Sequence, residues 1–396
     1  MNDSRIKLAV VSTHPIQYYA PVFRRIAAMA SLDLRVFYTW SQVANGAIED
    51  QGFGTTLEWD IPLLEGYAYE FVRNTCLVRP GPANFRGLQN PDLIPSIARW
   101  GADAVMVYGW NSSSHLSVLR HFHGRIPVFF RGDSTLLDER SALRSIARWL
   151  LLRWVYRYVD VAIAVGKNNR DYFWHYGLRP DQVRIAPHSV DVRRFADAGE
   201  ESQRLADSWR AQLGIATEQP VVLYAGKFIR KKDPTLLLQA FRQIEFPCHL
   251  VFVGNGELGS ELRRMAAGNA RIHFMPFQNQ LAMPSVYRVG DVFVLPSRGP
   301  GETWGLALNE AMACARPVIA SSNVGAARDL IAEGANGWIF EAGNIDALRL
   351  VLQDAVVRGR DGLRGLGVTA QRSSESWTTE IAAQKIADAV LSKFMR

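Results

Sequence analysis

Gly299-Pro300-Gly301-Glu302-Thr303-Trp304-Gly305-Leu306-Ala307-Leu308-Asn309-Glu310 joins an apolar run, Val292-Phe293-Val294-Leu295-Pro296-Ser297, to a helical pattern running from Ala307 to Cys314. The run reads as a buried strand, and the glycines after it mark a strand-to-helix turn, the repeating joint of an α/β protein. Two carboxylates eight positions apart, Glu302 and Glu310, flank this joint. One sits on the turn and the other about a turn and a half into the helix. The helix N-terminus between them offers free backbone N–H groups and a positive dipole end to an anion. Carboxylates beside an anion site suit a ligand that carries hydroxyls as well as phosphate, as a nucleotide sugar does.

Outward from this joint, apolar β-branched runs alternate with helical patterns along the chain, the signature of parallel sheets. In the first half the expected strands are 6–12, 34–39, 104–108, 128–130 and 159–165, with a short one near 69–72 inside an irregular stretch, 42–91, rich in Gly, Asn and Pro. A fresh series starts at Val221-Val222-Leu223-Tyr224-Ala225 and continues at 250–253, 272–275, 292–295, 317–320 and 337–340. The polar and charged stretch between the two series, with one helical stretch in it, reads as a linker. The chain of 396 residues is too long for one core and comfortable for two. The expected organisation is an α/β first domain over 1–190, a linker over 191–218, a second α/β domain over 219–375, and a C-terminal amphipathic helix over 376–396 packing back on the first domain, with Ser376 as its N-cap. A cleft between the two sheets' ligand ends is the expected site.

Hydrophobic residues make up 48% and charged residues 21%, which excludes a disordered chain, and no apolar run is long enough to span a bilayer. The polar start, Met1 to Lys7, lacks the apolar core of a signal peptide. Cys76, Cys248 and Cys314 are scattered without metal-ligand spacing and read as reduced core residues, so a cytoplasmic location is expected. A net charge of +7 favours acidic partners such as nucleotides or anionic lipid. Nucleic acid is disfavoured, because the basic residues are dispersed and no nucleic-acid module signature is present.

Gly226-Lys227-Phe228-Ile229-Arg230-Lys231-Lys232-Asp233 follows the first strand of the second series. The glycine permits close approach and the lysines act as point charges, which suits a diphosphate. Lys227 and Lys232 are the favoured ligands, with Arg230 and Lys231 facing water. Gly254-Asn255-Gly256-Glu257-Leu258-Gly259 matches the dinucleotide pattern G-x-G-x-x-G. The acidic residue expected after the next strand is missing, since that strand ends Phe274-Met275-Pro276-Phe277-Gln278, so Gly254 and Gly256 read as a tight turn facing a nucleotide rather than as a redox site. Between 141 and 158, Arg144, Arg148, Arg153 and Arg157 accompany Trp149, Leu150, Leu151, Leu152, Trp154 and Val155. This reads either as a core helix with solvated arginines or as a helix lying on anionic lipid at the inner face of the cell membrane.

Together these segments resemble the retaining glycosyltransferases of family four, which have the GT-B fold of two facing Rossmann-like domains. Gly226-Lys227 with Lys232 resembles the family's diphosphate clamp, and Glu302 with Glu310 its E-x7-E motif. Ala311-Met312-Ala313-Cys314, Pro317-Val318-Ile319-Ala320-Ser321, Asp160-Val161-Ala162-Ile163-Ala164-Val165 and the stretch from Pro187-His188-Ser189 to Phe195 resemble flanking segments. The resemblance implies transfer of a sugar from a nucleotide-diphosphate donor to a glycan or lipid-linked acceptor, with retained anomeric configuration, no cofactor and no metal. Lys227 and Lys232 would hold the donor diphosphate. Glu302 would contact sugar hydroxyls. Thr303 and the backbone of Gly305 and Leu306 would bind at the helix N-terminus. Glu310 would take the ribose, and Phe277 and Gln278 would abut the base.

The chain departs from that pattern in three places. Lys227 stands where the family usually has Arg, Thr13-His14-Pro15-Ile16-Gln17-Tyr18-Tyr19 where it has a Gly-Gly pair, and Arg131-Gly132-Asp133-Ser134 where it often has a His. His14 and Asp133 are therefore candidate catalytic groups, and Gln17 and Arg131 candidate acceptor contacts, with a structural loop residue and a helix cap as the plain alternatives for His14 and Asp133. A GT-B epimerase acting on the nucleotide sugar and a non-catalytic nucleotide-sugar or glycan-binding protein are the competing functions.

Overall fold

The computed structural model describes residues 5–40, 47–50, 55–137, 142–197 and 199–395. The strands run β1 Ile6–Ser12, β2 Leu32–Tyr38, β3 Ala47–Asp50, β4 Thr55–Glu58, β5 Ala68–Phe71, β6 Ala104–Tyr108, β7 Val128–Gly132, β8 Val161–Ala164 and β9 Val183–Ile185. They continue as β10 Val221–Ala225, β11 His249–Val253, β12 Ile272–Met275, β13 Val292–Leu295, β14 Val318–Ser321 and β15 Gly337–Phe340. Two compact units contain them: residues 1–47, 62–188 and 379–396 form one, and residues 48–61 and 189–378 the other. The fold is two parallel-sheet α/β domains.

In the first unit seven parallel strands lie in the order β5-β2-β1-β6-β7-β8-β9. Strand β6 is buried at every position, as expected where helices cover both faces of a sheet. The C-terminal helix Thr379–Leu391 packs against helix Ala20–Ala27, placing Ala382 and Ile386 with Phe23 and Ile26 in one core and pairing Arg25 with Glu380 at 2.7 Å. It begins at Thr379, after a short 3-10 turn over Glu375–Trp377, and not at Trp377.

The second unit has six parallel strands in the order β12-β11-β10-β13-β14-β15. The stretch expected as a linker is helical: Val192–Asp197 and Gly199–Gln212 form helices, and the latter packs on helix Met283–Val289 of this unit. Its polar composition hid the fact that Ala206 and Arg210 point inward. Arg210 donates to Asp291 at 3.0 Å and to the carbonyls of Val289 and Gln219, so one buried ion pair locks the helix to the start of β13. Of the three cysteines, Cys248 and Cys314 are buried, while Cys76 is only partly covered.

Candidate functional site

In both sheets the strand order reverses direction once, between β1 and β6 in the first and between β10 and β13 in the second. At such a switch point neighbouring loops diverge and leave a crevice at the carboxyl ends of the strands, where α/β proteins bind ligands. The turn after β10 carries Gly226 to Asp233, and the turn after β13 carries Gly299 to Gly305. The two motifs singled out in the sequence thus leave the same crevice of the second unit.

They also touch. Lys232 Nζ lies 2.7 Å from Glu302 Oε2 and donates to Oε1 at 2.9 Å. Ser297 Oγ, at the end of the β13 run, donates to the same carboxylate at 3.1 Å. Glu302 is only 6% exposed. Burial pushes its carboxyl pKa up, but Lys232, Lys231 and Ser297 outweigh that and hold it below the ordinary value, so the group is a fixed anion. Lys231, expected to face water, instead donates from Nζ to the carbonyl of Gly301 and ties the two turns a second time, while Arg230 is exposed as expected. Asp233 caps helix Pro234–Phe241 by accepting from Leu236 N and pairs with Arg298 at 3.2 Å. Lys227 is half-buried, and its carbonyl accepts from the Tyr224 hydroxyl at 2.6 Å.

Gly305 is the N-cap of helix Leu306–Ala313 with φ +98°, and a Cβ there would press within 2.9 Å of Val324 and Leu295 side-chain atoms. Only glycine combines that backbone conformation with that packing. The helix N-terminus is thereby left without a side-chain cap, its N–H groups available to a ligand. Behind the turn, Gly325 N donates to Glu302 O at 3.0 Å and Ala326 N to Trp304 O at 2.9 Å. Trp304 is buried, donates to Asn309 at 2.9 Å and packs on Trp377. Thr303 lies between these fixed points.

Glu310 is 3% exposed and accepts from the Tyr287 hydroxyl at 2.6 Å. Tyr287 had no local signal in the sequence, because it reaches Glu310 from another helix, Met283–Val289. Gly254 and Gly256 have a structural reason that the sequence reading missed. A Cβ on either would collide with backbone of the Gly226 to Phe228 turn, which is bonded to theirs through Phe228 N to Asn255 O and Leu258 N to Phe228 O. Phe277 and Gln278 follow β12, the edge strand, and are half-buried.

In the first unit, His14 and Gln17 lie on the loop after β1 at the switch point, and Arg131 and Asp133 at the end of β7. His14 Nδ1 shares a hydrogen bond with Thr13 Oγ1 at 2.9 Å, and burial lowers its pKa. Arg131 is not presented to an acceptor: it is 4% exposed, and its guanidinium donates to the carbonyls of Ala186 and Pro187. Asp133 is half-buried and close enough to raise the pKa of Tyr19, where burial is the larger cause. Tyr19 in turn packs on Tyr108 and stacks on His188. A His therefore does stand in this cluster, supplied by residue 188 from a distant part of the chain and not by the segment after β7.

His188 is held neutral, with a pKa lowered to about 3 by burial and by Arg131. In the second unit His249, hydrogen-bonded to His273 and Gln219, is lowered to about 4 by burial and the neighbouring His273. Both folded values lie below the ordinary 6.5. Their neutral forms thus contribute stability that is complete above pH 6.5 and is lost as pH falls toward 4 and then 3. Each should cost about 1.4 kcal/mol per pH unit across that window. Urea denaturation from pH 7 to pH 4.5 is expected to show stability falling in wild type and falling less steeply in His188→Gln and His249→Gln. An equal slope in all three would remove these histidines as the cause.

Among the described residues no helix is long and apolar enough to cross a membrane, and no group of three or more His, Cys, Asp or Glu could hold a metal ion. The helix read as a lipid contact, of which Ser141 and the Arg144 side chain lie outside the described residues, runs Ala142–Tyr156. Leu152, Val155 and Tyr156 are buried in the core, while Ile146, Trp149, Leu150, Leu151 and Trp154 are exposed. Arg148 turns inward, donating to the Tyr172 hydroxyl at 2.9 Å, and Arg153 lies over the Trp149 ring at 4.6 Å.

Comparison with known proteins agrees with the fold. The family model described as "Glycosyl transferases group 1" matches residues 206–357, and "Glycosyltransferase Family 4" matches residues 61–194. The D-inositol 3-phosphate glycosyltransferase of Nocardia farcinica is 26% identical over 94% of this chain and 86% of its own length. That of Geodermatophilus obscurus is 29% identical over 51% of this chain, and the match spans only 46% of that relative. Among solved structures, Anabaena HepE in complex with UDP and glucose superposes with a TM-score of 0.70 at 17% identity, covering 98% of this chain and all of HepE. Two glycosyltransferase family models thus match the chain in tandem, family 4 in its first half and group 1 in its second, and its fold is that of the GT-B structures.

Proposed function

We propose that this chain moves a glycosyl group from a nucleoside-diphosphate sugar to a hydroxyl of a glycan or lipid-linked acceptor in cell-surface polysaccharide synthesis, retaining the anomeric configuration and using no metal. The observation that carries the reading is the buried Lys232–Glu302 pair, set at a switch point beside the uncapped N-terminus of helix Leu306–Ala313. The diphosphate would lie against that helix end, with Lys227 and Lys232 answering its charge and Glu302 accepting from sugar hydroxyls. Glu310, already oriented by Tyr287, would take the ribose, with Phe277 and Gln278 toward the base. The loops carrying His14, Gln17 and Asp133 would receive the acceptor.

In the reaction the bond from the anomeric carbon to the β-phosphate oxygen breaks and a bond to the acceptor oxygen forms on the same face. The acceptor proton passes to the departing phosphate, so nucleoside diphosphate and glycoside are the products. What this requires of the protein is preorganised positive charge where the phosphate charge grows, which lysines and helix N–H groups supply. Glu302, tied by Lys232 and Ser297, is suited to orienting a sugar rather than attacking it.

A panel of nucleotide sugars screened first by thermal shift and then for transfer, with product anomers read by NMR, tests this. Retained configuration and turnover that survives EDTA are expected. An inverted product, or activity abolished by EDTA, would overturn the mechanism. An isomerised nucleotide sugar formed without acceptor would establish the epimerase instead, and binding of a donor with neither transfer nor hydrolysis would establish a binding protein.

A lipid-linked acceptor would bring the enzyme to a membrane surface. The exposed stripe Ile146, Trp149, Leu150 and Trp154, with Arg153 on the same face, supports an anionic bilayer as its partner. Flotation with vesicles containing anionic lipid should recover the protein, and the Trp149→Ser/Leu150→Ser/Trp154→Ser variant should bind at least tenfold more weakly. Equal recovery of the two would remove this helix as the contact.

A further inference from the structure

At the amino ends of the strands in the second unit, away from the carboxyl-end turns that carry Lys232 and Glu302, lies a cavity of about 620 Å³ that the proposed transfer does not use. It is bounded by helix Gly199–Gln212, the starts of β13 and β14, and the first two turns of helix Gly359–Ser374. Four arginines line it, Arg210, Arg316, Arg360 and Arg364, against two aspartates, Asp207 and Asp291.

The aspartates do not balance them. Asp291 is shared between Arg210 at 3.0 Å and Arg360 at 2.9 Å, and its Oδ2 also accepts from Val221 N. Asp207 accepts from Gln203. One terminal nitrogen of Arg316 donates to Gln203 Oε1 at 3.2 Å, while its Nε is sealed from solvent with no hydrogen-bond partner among the described residues. Burial lowers its pKa, with Asp291 and the Cys314 thiol opposing, and Arg288 and Arg360 adding to the lowering. Arg364 is largely solvent-exposed and pairs at 3.5 Å with Asp361, which is itself exposed. Arg360 and Arg364 also occupy the first two turns of a sixteen-residue helix, the end at which its dipole disfavours cations. Positive charge is thus concentrated where folding alone would remove it.

We infer that this cavity binds a phosphomonoester, with Arg316, Arg360 and Arg364 around the phosphate. Guanidinium groups match phosphate oxygens in charge and in fork geometry. The volume is that of a small-molecule site and exceeds what phosphate alone would fill, which leaves room for a sugar-sized body beside Gln203 and Asp207.

Calorimetric titration with inorganic phosphate and with ribose 5-phosphate tests the assignment on wild type, Arg316→Gln, Arg364→Gln, and a donor-side Lys232→Ala/Glu302→Gln variant. Saturable binding of ribose 5-phosphate is expected in wild type and in the donor-side variant, and binding weakened about tenfold or more in each arginine variant. Arg364 is exposed, so its variant keeps the test valid if Arg316→Gln does not fold. Binding lost in the donor-side variant but kept in Arg364→Gln would place the phosphate at the donor turn and overturn the inference. So would the absence of saturable binding in wild type. Equal affinity for the two probes would support the anion site while reducing its ligand to phosphate itself.

Discussion

Lys232→Ala is expected to lower kcat/KM for transfer by roughly 10²- to 10³-fold, the effect of removing one preorganised charge from a developing anion. The same substitution has a second consequence that must be separated from the first. Glu302 is 6% exposed and paired with Lys232 at 2.7 Å, so the alanine leaves a buried carboxylate without its main cation. Breaking a buried pair in this way costs roughly 3–5 kcal/mol. Burial, the largest influence on Glu302, would then be weakly opposed and would raise its folded pKa above the ordinary 4.5. A carboxyl with a raised folded pKa costs stability above that pKa and costs none once both states are protonated. The loss of stability relative to wild type should therefore shrink as pH falls toward 4.5. The Lys232→Ala/Glu302→Gln double variant removes the stranded charge and should recover most of the melting temperature while recovering no activity. Melting curves at several pH values, together with steady-state kinetics, check both halves. Should the double variant regain activity along with stability, Lys232 would be a folding residue and the diphosphate would be held elsewhere.

The central strands were legible because they are largely buried and written as apolar runs. Strands β1, β6, β10 and β13 lie at the residues expected, as do the edge strands β12 and β15. Strand β9 was missed because it is a three-residue edge strand with Arg184 and Ile185 exposed, so only Val183 carries a signal. Between 192 and 212 one helical stretch was legible, but neither the second helix nor the packing of the longer one into the second unit was. What fixes the longer of them is a buried charge, Arg210, whose partner Asp291 lies 81 residues away. The site divides along the same line. Glu302, Lys232 and Gly305 stand in short motifs tied to strand ends and could be named from local spacing. Tyr287 beside Glu310, Lys231 on the Gly301 carbonyl and His188 against Tyr19 are juxtapositions made by the sheets, and nothing in their local sequence announces them. Arg131 shows the converse, since a cation at a strand end invites a ligand role but its guanidinium is spent on two backbone carbonyls.

The turn itself is most sensitive at a residue outside both motifs. Gly325 has no Cβ, and an ideal Cβ built there would overlap the carbonyl of Thr303 and come within 3.2 Å of Trp304 N. Those neighbours are backbone atoms, so no side chain can rotate to make room. The Glu302 to Trp304 segment must move, or the hydrogen bonds from Gly325 N to Glu302 O and from Ala326 N to Trp304 O must break. Gly325→Ala is therefore expected to destabilise the second unit by about 1–3 kcal/mol, the usual cost of overpacking. Its larger effect should be on catalysis. A displacement of about 1 Å at a positioning group costs on the order of 10²-fold in rate, and here the displaced group is Glu302 with Lys232 attached. Gly365→Ala is the matched control: it lies inside helix Gly359–Ser374, where a Cβ meets nothing within 4 Å. That substitution should stabilise by about 0.5–1 kcal/mol, since alanine loses less freedom than glycine in a helix. Urea denaturation and kcat measured on both variants give the comparison. If Gly325→Ala kept wild-type kcat while losing stability, the backbone behind the turn would not set the position of Glu302. If it lost both, a methyl group on a residue outside both motifs would have shown that the site depends on how closely the turn lies against Gly325.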